Sequence, residues 1–583
     1  MYKNINMEMI EIYTLGDSSN SLLNILGTVA KNRSIEDIEK FLNPSSSDVI
    51  HYSKLKNMDL AVEMLEKHKE KDSEFVVVID SDGDGYTSSC ILYRYLKRLI
   101  PNIKINYIMH EGRANGLTEQ IMEEINKLNP DIVILPDASS NDLSQHKTLH
   151  EKGIDVLCLD HHELTGEESK FAVVVNPQLS PEHKNKQISG CTVTYKFLKA
   201  LDEEYGNDWA DDYLDLVALS NVSDAIEIVH PDVRYLTYKG FEKINNPFLK
   251  ELAFKNAGWT KGKLFPHVLS WSILPKLNSL IRVGSAEEKL DIFEAFIGME
   301  REFYNTRTKK TESLVQKSAR LCTNSYAKQK RIRTKLVEKI KETVEREELD
   351  KNAVIFLTLD EFQEGLAGYI AGGLTNEYHR PVVLTSWNKK EDMYTGSLRG
   401  YSGGAITDVK ELLEKTELFS LLAGHGNAAG VKITKENSLN LNEKINSVLQ
   451  FETEKKSDIE VDFEIKGSSL SSALIDRFEE HSKLWCKGFE SPRIAVTDIE
   501  VRTSDIQVGS TMKFNKGNVE IVSFSVDPEI ERLTLEKDSI LNCTILGTVG
   551  INRFLGKETY QLVVEKIVVN EIKEAPAKRK FQF

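Results

Sequence analysis

The run Phe75-Val76-Val77-Val78-Ile79 is apolar throughout and β-branched at its last four positions. That pattern predicts a strand buried on both faces. Beyond it, amphipathic and apolar segments alternate. The spacing predicts helices over 88–99 and 117–128, and strands over 103–109, 131–135, 154–159 and 172–175. Strands separated by helices imply a largely parallel sheet covered by those helices. Residues 213–226 and the segments up to about 300 read as helical. Residues 300–349 read as one or two long helices with few breakers. A second α/β unit begins at Ala353-Val354-Ile355-Phe356-Leu357. It continues through a helix over 365–378, a strand over 381–385 and glycine-rich segments at 396–404 and 422–430. After about 455, short alternating strands take over at 494–500, 511–514, 519–525, 539–549 and 560–569. Such a series suits a small OB-like β-barrel.

The expected fold class is therefore α/β with an added β-barrel. The expected order is a helical lead-in (1–70), a parallel-sheet domain (71–300), a basic helical linker (301–350), a second α/β domain (351–452), the barrel (453–570) and a tail (571–583). A chain of 583 residues, 40% hydrophobic and 28% charged, has the composition of a soluble multidomain protein. Its apolar runs are too short to cross a bilayer, and its first residues lack a basic start and an apolar core. Six scattered cysteines without a CxxC pair point to reduced thiols and a cytoplasmic location.

The net charge of −15 argues against general affinity for polyanions. Charge is uneven, however. Residues 307–341 hold twelve Lys and Arg against Glu312 and Glu338, a local balance of 12 − 2, or +10. Such a stripe is either a nucleic-acid footprint or the solvated face of a connecting helix.

Chemistry collects where the predicted strands end. In an open parallel sheet, ligands bind at the carboxyl ends of the strands. The first strand runs into Asp80, Asp82 and Asp84, the 131–135 strand into Asp137, and the 154–159 strand into Asp160-His161-His162. The segment 216–224 adds Asp224. Taken alone, the first cluster resembles a calcium loop, but position twelve is Ile91 and a strand stands where an EF-hand has a helix. Each aspartate alone is an ordinary helix cap, and each histidine alone an ordinary structural residue. Their recurrence at one sheet edge favours a common ligand. Carboxylates mixed with imidazoles suit Mn²⁺ and also Mg²⁺. The set is too large for one ion and suits two, about 3.5–4 Å apart, the arrangement that cleaves phosphate esters. One carboxylate, Asp137 or Asp224, would bridge them.

These motifs resemble those of the DHH phosphoesterase superfamily. Asp160-His161-His162 is similar to its name-giving triplet, Asp80 to Gly85 to its D-x-D-x-D-G motif, and Asp224 to its helix-borne aspartate. Within the superfamily the likeness points to the RecJ single-stranded-DNA exonucleases. EGRANGL (111–117) resembles their E-G-Y-G-L segment, and LPKLNSLIRVGSA (274–286) their P-R-x-N-A-x-G-R segment. Residues 365–384 resemble the start of the associated DHHA1 domain. GSLRGYSGG (396–404) and AGHGNAAG (423–430) resemble its G-S-x-R-S and G-G-H-x-x-A-A-G motifs. There are departures. Asp137-Ala138-Ser139 stands for D-x-G, Ser-Asn-Val-Ser precedes Asp224, and LWCKGFESPRI is a loose match to the barrel's entry. They suit a divergent branch, a phage-encoded one included.

The resemblance implies roles. Asp82, Asp84, Asp137, His161, His162 and Asp224 would be metal ligands, Asp80 a further one, and Asp160 the partner that orients a histidine. Asp84, Asp137, His161 and His162 would carry catalysis with two Mn²⁺ or Mg²⁺ ions. Arg282, Ser397 and Arg399 would hold substrate phosphates, and His425 would steady the scissile one. The implied activity is a 5′-to-3′ exonuclease on single-stranded DNA, serving repair, recombination or replication. A single-strand-binding protein or a helicase is the implied protein partner, and no membrane is involved. Two alternatives stand beside it: a phosphodiesterase for short oligonucleotides or cyclic dinucleotides, and an inactive nucleic-acid-binding factor.

Overall fold

The structure is a computed structural model that describes residues 12–14, 24–110, 114–257, 260, 263–359, 366–378, 380–389, 391–401, 406, 408–449, 459–509, 511–524, 526–536, 538–554 and 557–575. The chain divides into two compact units. One comprises Ile35–Gln329 with Lys483–Glu490, the other Met1–Ser34, Lys330–Ser482 and Ser491–Phe583.

The first unit is built on a parallel sheet. Its elements are β1 (Glu74–Ile79), α1 (Gly83–Leu99), β2 (Lys104–Met109), α2 (Glu119–Leu128), β3 (Ile132–Pro136), α3 (Leu143–Glu151), β4 (Asp155–Leu159), β5 (Val173–Val175), α4 (Gly190–Tyr205) and α5 (Leu214–Ser223). The strands lie in the order β2-β1-β3-β4-β5, every pair parallel. Strand order reverses between β1 and β3, so a crevice opens beyond their carboxyl ends. Val76, Val78, Val133, Leu135 and Val156 pack on one face against Ile121 and Ile125 of α2 and Leu149 of α3. The strands are buried on both faces, which is why they read as unbroken apolar runs.

Two differences from the expected elements matter. α1 starts at Gly83 rather than 88, because Asp82 caps it: its side chain accepts from the amides of Asp84 (2.9 Å) and Gly85 (3.0 Å). Two glycines in a first turn argue against a helix by propensity, but the cap outweighs them. The second difference lies in the linker. Glu302–Asn305 and Lys310–Ser313 form an antiparallel hairpin, turning at Lys309 (φ 55°), before the long helix begins. Phe303 and Tyr304 carry the β-preference that the charge run masks. Next come α6 (Leu274–Val283) and α7 (Leu314–Arg346), in chain order on either side of that hairpin.

The second unit holds a mixed sheet of β6 (Ile355–Leu359), β7 (Val382–Asn388), β8 (Met393–Arg399), β9 (Phe419–His425) and β10 (Ala428–Ile433), with α8 (Ala367–Tyr378) between β6 and β7. Its order is β9-β10-β8-β7-β6. A further seven-stranded sheet contains the five expected C-terminal strands and adds Phe463–Lys466 and Gln507–Val508. Two of its strands are long, Ser539–Phe554 and Lys557–Glu574. Ile12–Thr14 pairs in parallel with Ile459–Val461, and Arg33 forks onto Asp462 at 2.8 and 2.9 Å. The expected lead-in is thus shared: residues up to Ser34 join the second unit, and Ile35 onward the first.

The segment around Cys486 packs within the first unit. Arg234 is fully buried and donates to the carbonyls of Phe41 (2.6 Å) and Ile228 (3.0 Å), with Cys486 Sγ at 3.8 Å. All six cysteines are free and buried. Among the described residues, no helix is long and apolar enough to cross a membrane.

Candidate metal centre

The ends of β1, β3 and β4 and the C-terminus of α5 bring the acidic and imidazole residues of the first unit together. Asp224 caps a helix rather than ending a strand. His161 Nε2 lies 3.2 Å from Asp137 Oδ1, 3.6 Å from Asp224 Oδ2 and 3.9 Å from Asp84 Oδ2. Three groups offer donor atoms within 4.8 Å of one another: Asp137, His161 and His162; Asp84, His161 and Asp224; and Asp80, Asp82 and Asp137. Asp137 is the carboxylate common to two of them.

Glycines allow this density. A Cβ on Gly85 would lie 2.5 Å from Asp80 Cβ, and one on Gly83 would lie 2.3 Å from Ser223 Oγ. A Cβ on Gly190 would stand 2.4 Å from Asp137 Oδ1. Asp137 has φ 69° and Ser139 φ 83°. The D-x-G position thus keeps a glycine-like backbone while carrying a serine, whose hydroxyl donates to Asp142.

The carboxylates are not equivalent. Asp84 is held from every side: it accepts from the amides of Gly190 (2.8 Å) and Cys191 (2.9 Å) at the start of α4, and from Ser220 Oγ (2.5 Å) and Ser88 Oγ (3.1 Å). Asp160 accepts from the amides of His161 (2.7 Å) and Ser140 (2.9 Å) and from His162 Nδ1 (2.7 Å). Against the cost of burial, these bonds hold its carboxyl well below the ordinary range. The same bond raises His162 to about 9.

By contrast, Asp80 Oδ1, Asp137 Oδ1 and His161 Nε2 are buried and have no hydrogen-bond partner. Burial and then the charge of Asp82 push Asp80 up to about 8. Burial and then Asp84 push Asp224 up to about 8. Burial and then Asp84 drive Asp137 well upward, and burial lowers His161. Buried polar atoms left unpaired among mutually repelling carboxylates are surroundings that a bound cation would satisfy. The donor set fits Mn²⁺ or Mg²⁺ on chemical grounds.

The phosphate-binding candidates divide between the units. Arg282 is exposed in the last turn of α6. Ser397 and Arg399 sit two apart on β8 and so share a face. Gly368 of α8 lies over both: a Cβ there would be 2.4 Å from Arg399 Nη2 and 3.3 Å from Ser397 Oγ. His425 ends β9, with its side chain outside the described residues, as are residues 111–113 of EGRANGL and 402–404 of GSLRGYSGG.

Sequence reasoning missed Ser220, the amides of Gly190 and Cys191, and His110. The ring of His110 is buried, with neither nitrogen hydrogen-bonded, and Nε2 is 3.9 Å from Asp80 Oδ1. Only Ser220 left a signal, one helical turn before Asp224.

The profile described as "DHH family, N-terminal domain" matches residues 74–220. The chain is 35% identical over 563 residues to the SPbeta prophage-derived protein YorK of Bacillus subtilis, named for single-strand DNA-specific exonuclease activity, covering 94% of this chain and 96% of that one. It is 21% identical over 548 residues to the single-stranded-DNA-specific exonuclease RecJ of Bacillus subtilis, covering 92% of this chain and 66% of that one. Among solved structures, RecJ of Thermus thermophilus in complex with Mn²⁺ superposes with a TM-score of 0.71 at 18% identity, covering 97% of this chain and 80% of that chain.

Proposed function

The chain belongs to the DHH family, in its branch of RecJ-like single-strand-specific exonucleases, and from that membership we propose that it degrades single-stranded DNA from the 5′ end. It is a hydrolytic nuclease. The proposed reaction releases 5′-mononucleotides and uses two Mn²⁺ or Mg²⁺ ions. The observation that carries the two-ion reading is the set of unpartnered donors, Asp80 Oδ1, Asp137 Oδ1 and His161 Nε2, inside three overlapping groups of candidate ligands. When bound, such ions would acidify the attacking water and offset charge on the leaving oxygen.

The chain's own residues do the rest. Asp80, Asp82, Asp84, Asp137, His161, His162 and Asp224 would hold the ions, with Asp137 shared. Asp160 fixes the His162 ring through Nδ1, which leaves Nε2 to serve as the ligand atom. The four donors on Asp84 keep its carboxylate in one orientation. Arg282, Ser397, Arg399 and His425 would bind substrate phosphates, the arginines by their planar forks. The C-terminal seven-stranded sheet is read as an OB-like surface for the strand, and the basic residues of α7 as contacts to its backbone.

The test compares a 5′-phosphorylated single strand, its duplex and an RNA of the same sequence, each incubated with the protein and Mn²⁺. The proposal expects mononucleotides from the DNA strand and an intact duplex. Cleavage of dinucleotides alone, or binding without turnover, would replace it with one of the other readings.

A further inference from the structure

Trp271 is 81% exposed, an unusual setting for a large aromatic side chain. It lies in a five-residue π-turn, Leu269–Ile273, inserted between Pro266–Val268 and α6. The cause is local. Pro275 lacks an amide hydrogen, and its ring crowds the carbonyl four residues back, which is that of Trp271. Widening the helix there relieves the crowding, and π-turns of this kind concentrate at functional sites. Leu269 and Ile273 on either side are fully buried, so the turn is anchored while the indole stands in solvent.

The helix face is also specific. Trp271, Pro275, Asn278 and Arg282 follow at i, i+4, i+7 and i+11, one stripe of a helix. That stripe runs past the metal centre. A Cβ built on Gly83, at the start of α1 between Asp82 and Asp84, would lie 3.6 Å from Asn278 Oδ1. Arg282 is one turn beyond Asn278, and Trp271 about two turns before it. Beside the stripe, Lys276 Nζ stands 5.1 Å from the Tyr326 ring centroid, so a cation and a second aromatic border it.

We propose that Trp271 is a base-stacking platform for the substrate strand, aligned with Arg282 along one helix face that passes the metal centre. An exposed indole on the same face as a backbone-binding cation is how proteins hold single strands without reading their sequence. The proposal rests on the exonuclease reading of the same site. It adds a contact that acts on strands long enough to reach it, since Arg282 and Trp271 are separated by about 16 Å along the helix.

The experiment uses the full chain with Mn²⁺ and two substrates, a 5′-phosphorylated dinucleotide and a long 5′-phosphorylated strand carrying 2-aminopurine at successive positions. Trp271→Ala should raise KM for the long strand about 10-fold. It should leave the dinucleotide rate unchanged, which also reports an intact fold. The wild-type protein should quench 2-aminopurine at one position; Trp271→Ala should lose that quench and Trp271→Phe should restore it. An unchanged KM with no position-specific quench overturns the proposal and leaves the indole to a protein contact. Failure of the wild-type protein to cleave either substrate would instead overturn the exonuclease reading.

Discussion

Gly190, at the start of α4, stands directly against Asp137, at the end of β3, with room for a hydrogen and nothing larger. A methyl group there would lie 2.4 Å from the carboxylate Oδ1 and 2.7 Å from the Asp137 Cα. The helix start therefore sets the position of the carboxylate shared by two of the candidate ligand groups.

Gly190→Ala should displace Asp137 and cost about 1–3 kcal/mol by overpacking. A displaced ligand should cost activity about 100-fold, in the range of lost metal-site support. Thermal unfolding and strand hydrolysis measured on the same preparation check both. Full activity in the variant would show that Asp137 is not a ligand.

His161→Ala and Asp84→Ala should both abolish turnover, but only the first should leave stability intact. His161 Nε2 has no hydrogen-bond partner, so little is lost with it. Asp84 satisfies the amides of Gly190 and Cys191 and the Ser220 hydroxyl, and removing its side chain strips these three of a buried acceptor, at about 3 kcal/mol or more, while Ser88 keeps the Asp84 carbonyl at 2.7 Å. Denaturant midpoints of the two variants distinguish the roles. Equal midpoints would contradict the assignment of Asp84 as a dual structural and ligand residue.

The metal-free protein should lose stability as pH rises. Asp80 and Asp224 are each raised to about 8 in the folded state, against about 3.9 unfolded. Groups raised on folding stabilise below their unfolded value, and that contribution is lost as pH climbs through the folded one. Unfolding temperature in chelator should therefore fall between about pH 5 and pH 8.5, and Mn²⁺ should reverse the fall by replacing protons with a cation. A chelator-treated protein that gains stability over that range would contradict the cluster's electrostatics.

Much of this was legible in the chain. The β-branched run before Asp80 marked a buried strand, and the recurrence of acidic residues after such runs marked one sheet edge. What was not legible depends on contacts distant in sequence. Gly190 and Ser220 meet Asp84 across more than a hundred residues; nothing near Gly190 announces it, and Ser220 shows only its place one turn before Asp224. The start of α1 was hidden by Gly83 and Gly85, present for close approach rather than for helix propensity. The hairpin at 302–313 was hidden by the charge run around it.

Ser139 offers a test of the departure from D-x-G. At φ 83° a β-branched residue is strained, so Ser139→Val should cost about 2 kcal/mol, counting the lost bond to Asp142. Ser139→Gly relieves the backbone while losing the same bond, and should stay within about 1 kcal/mol of the parent. Urea unfolding of the pair checks the order; a valine variant as stable as the glycine one would contradict the left-handed backbone.

The most direct test is a crystal structure grown with Mn²⁺, in which anomalous scattering counts the ions. The account predicts two, about 3.5–4 Å apart, with the Asp137 carboxylate between them. A single ion, or none among Asp80, Asp84, Asp137, His161, His162 and Asp224, would contradict it.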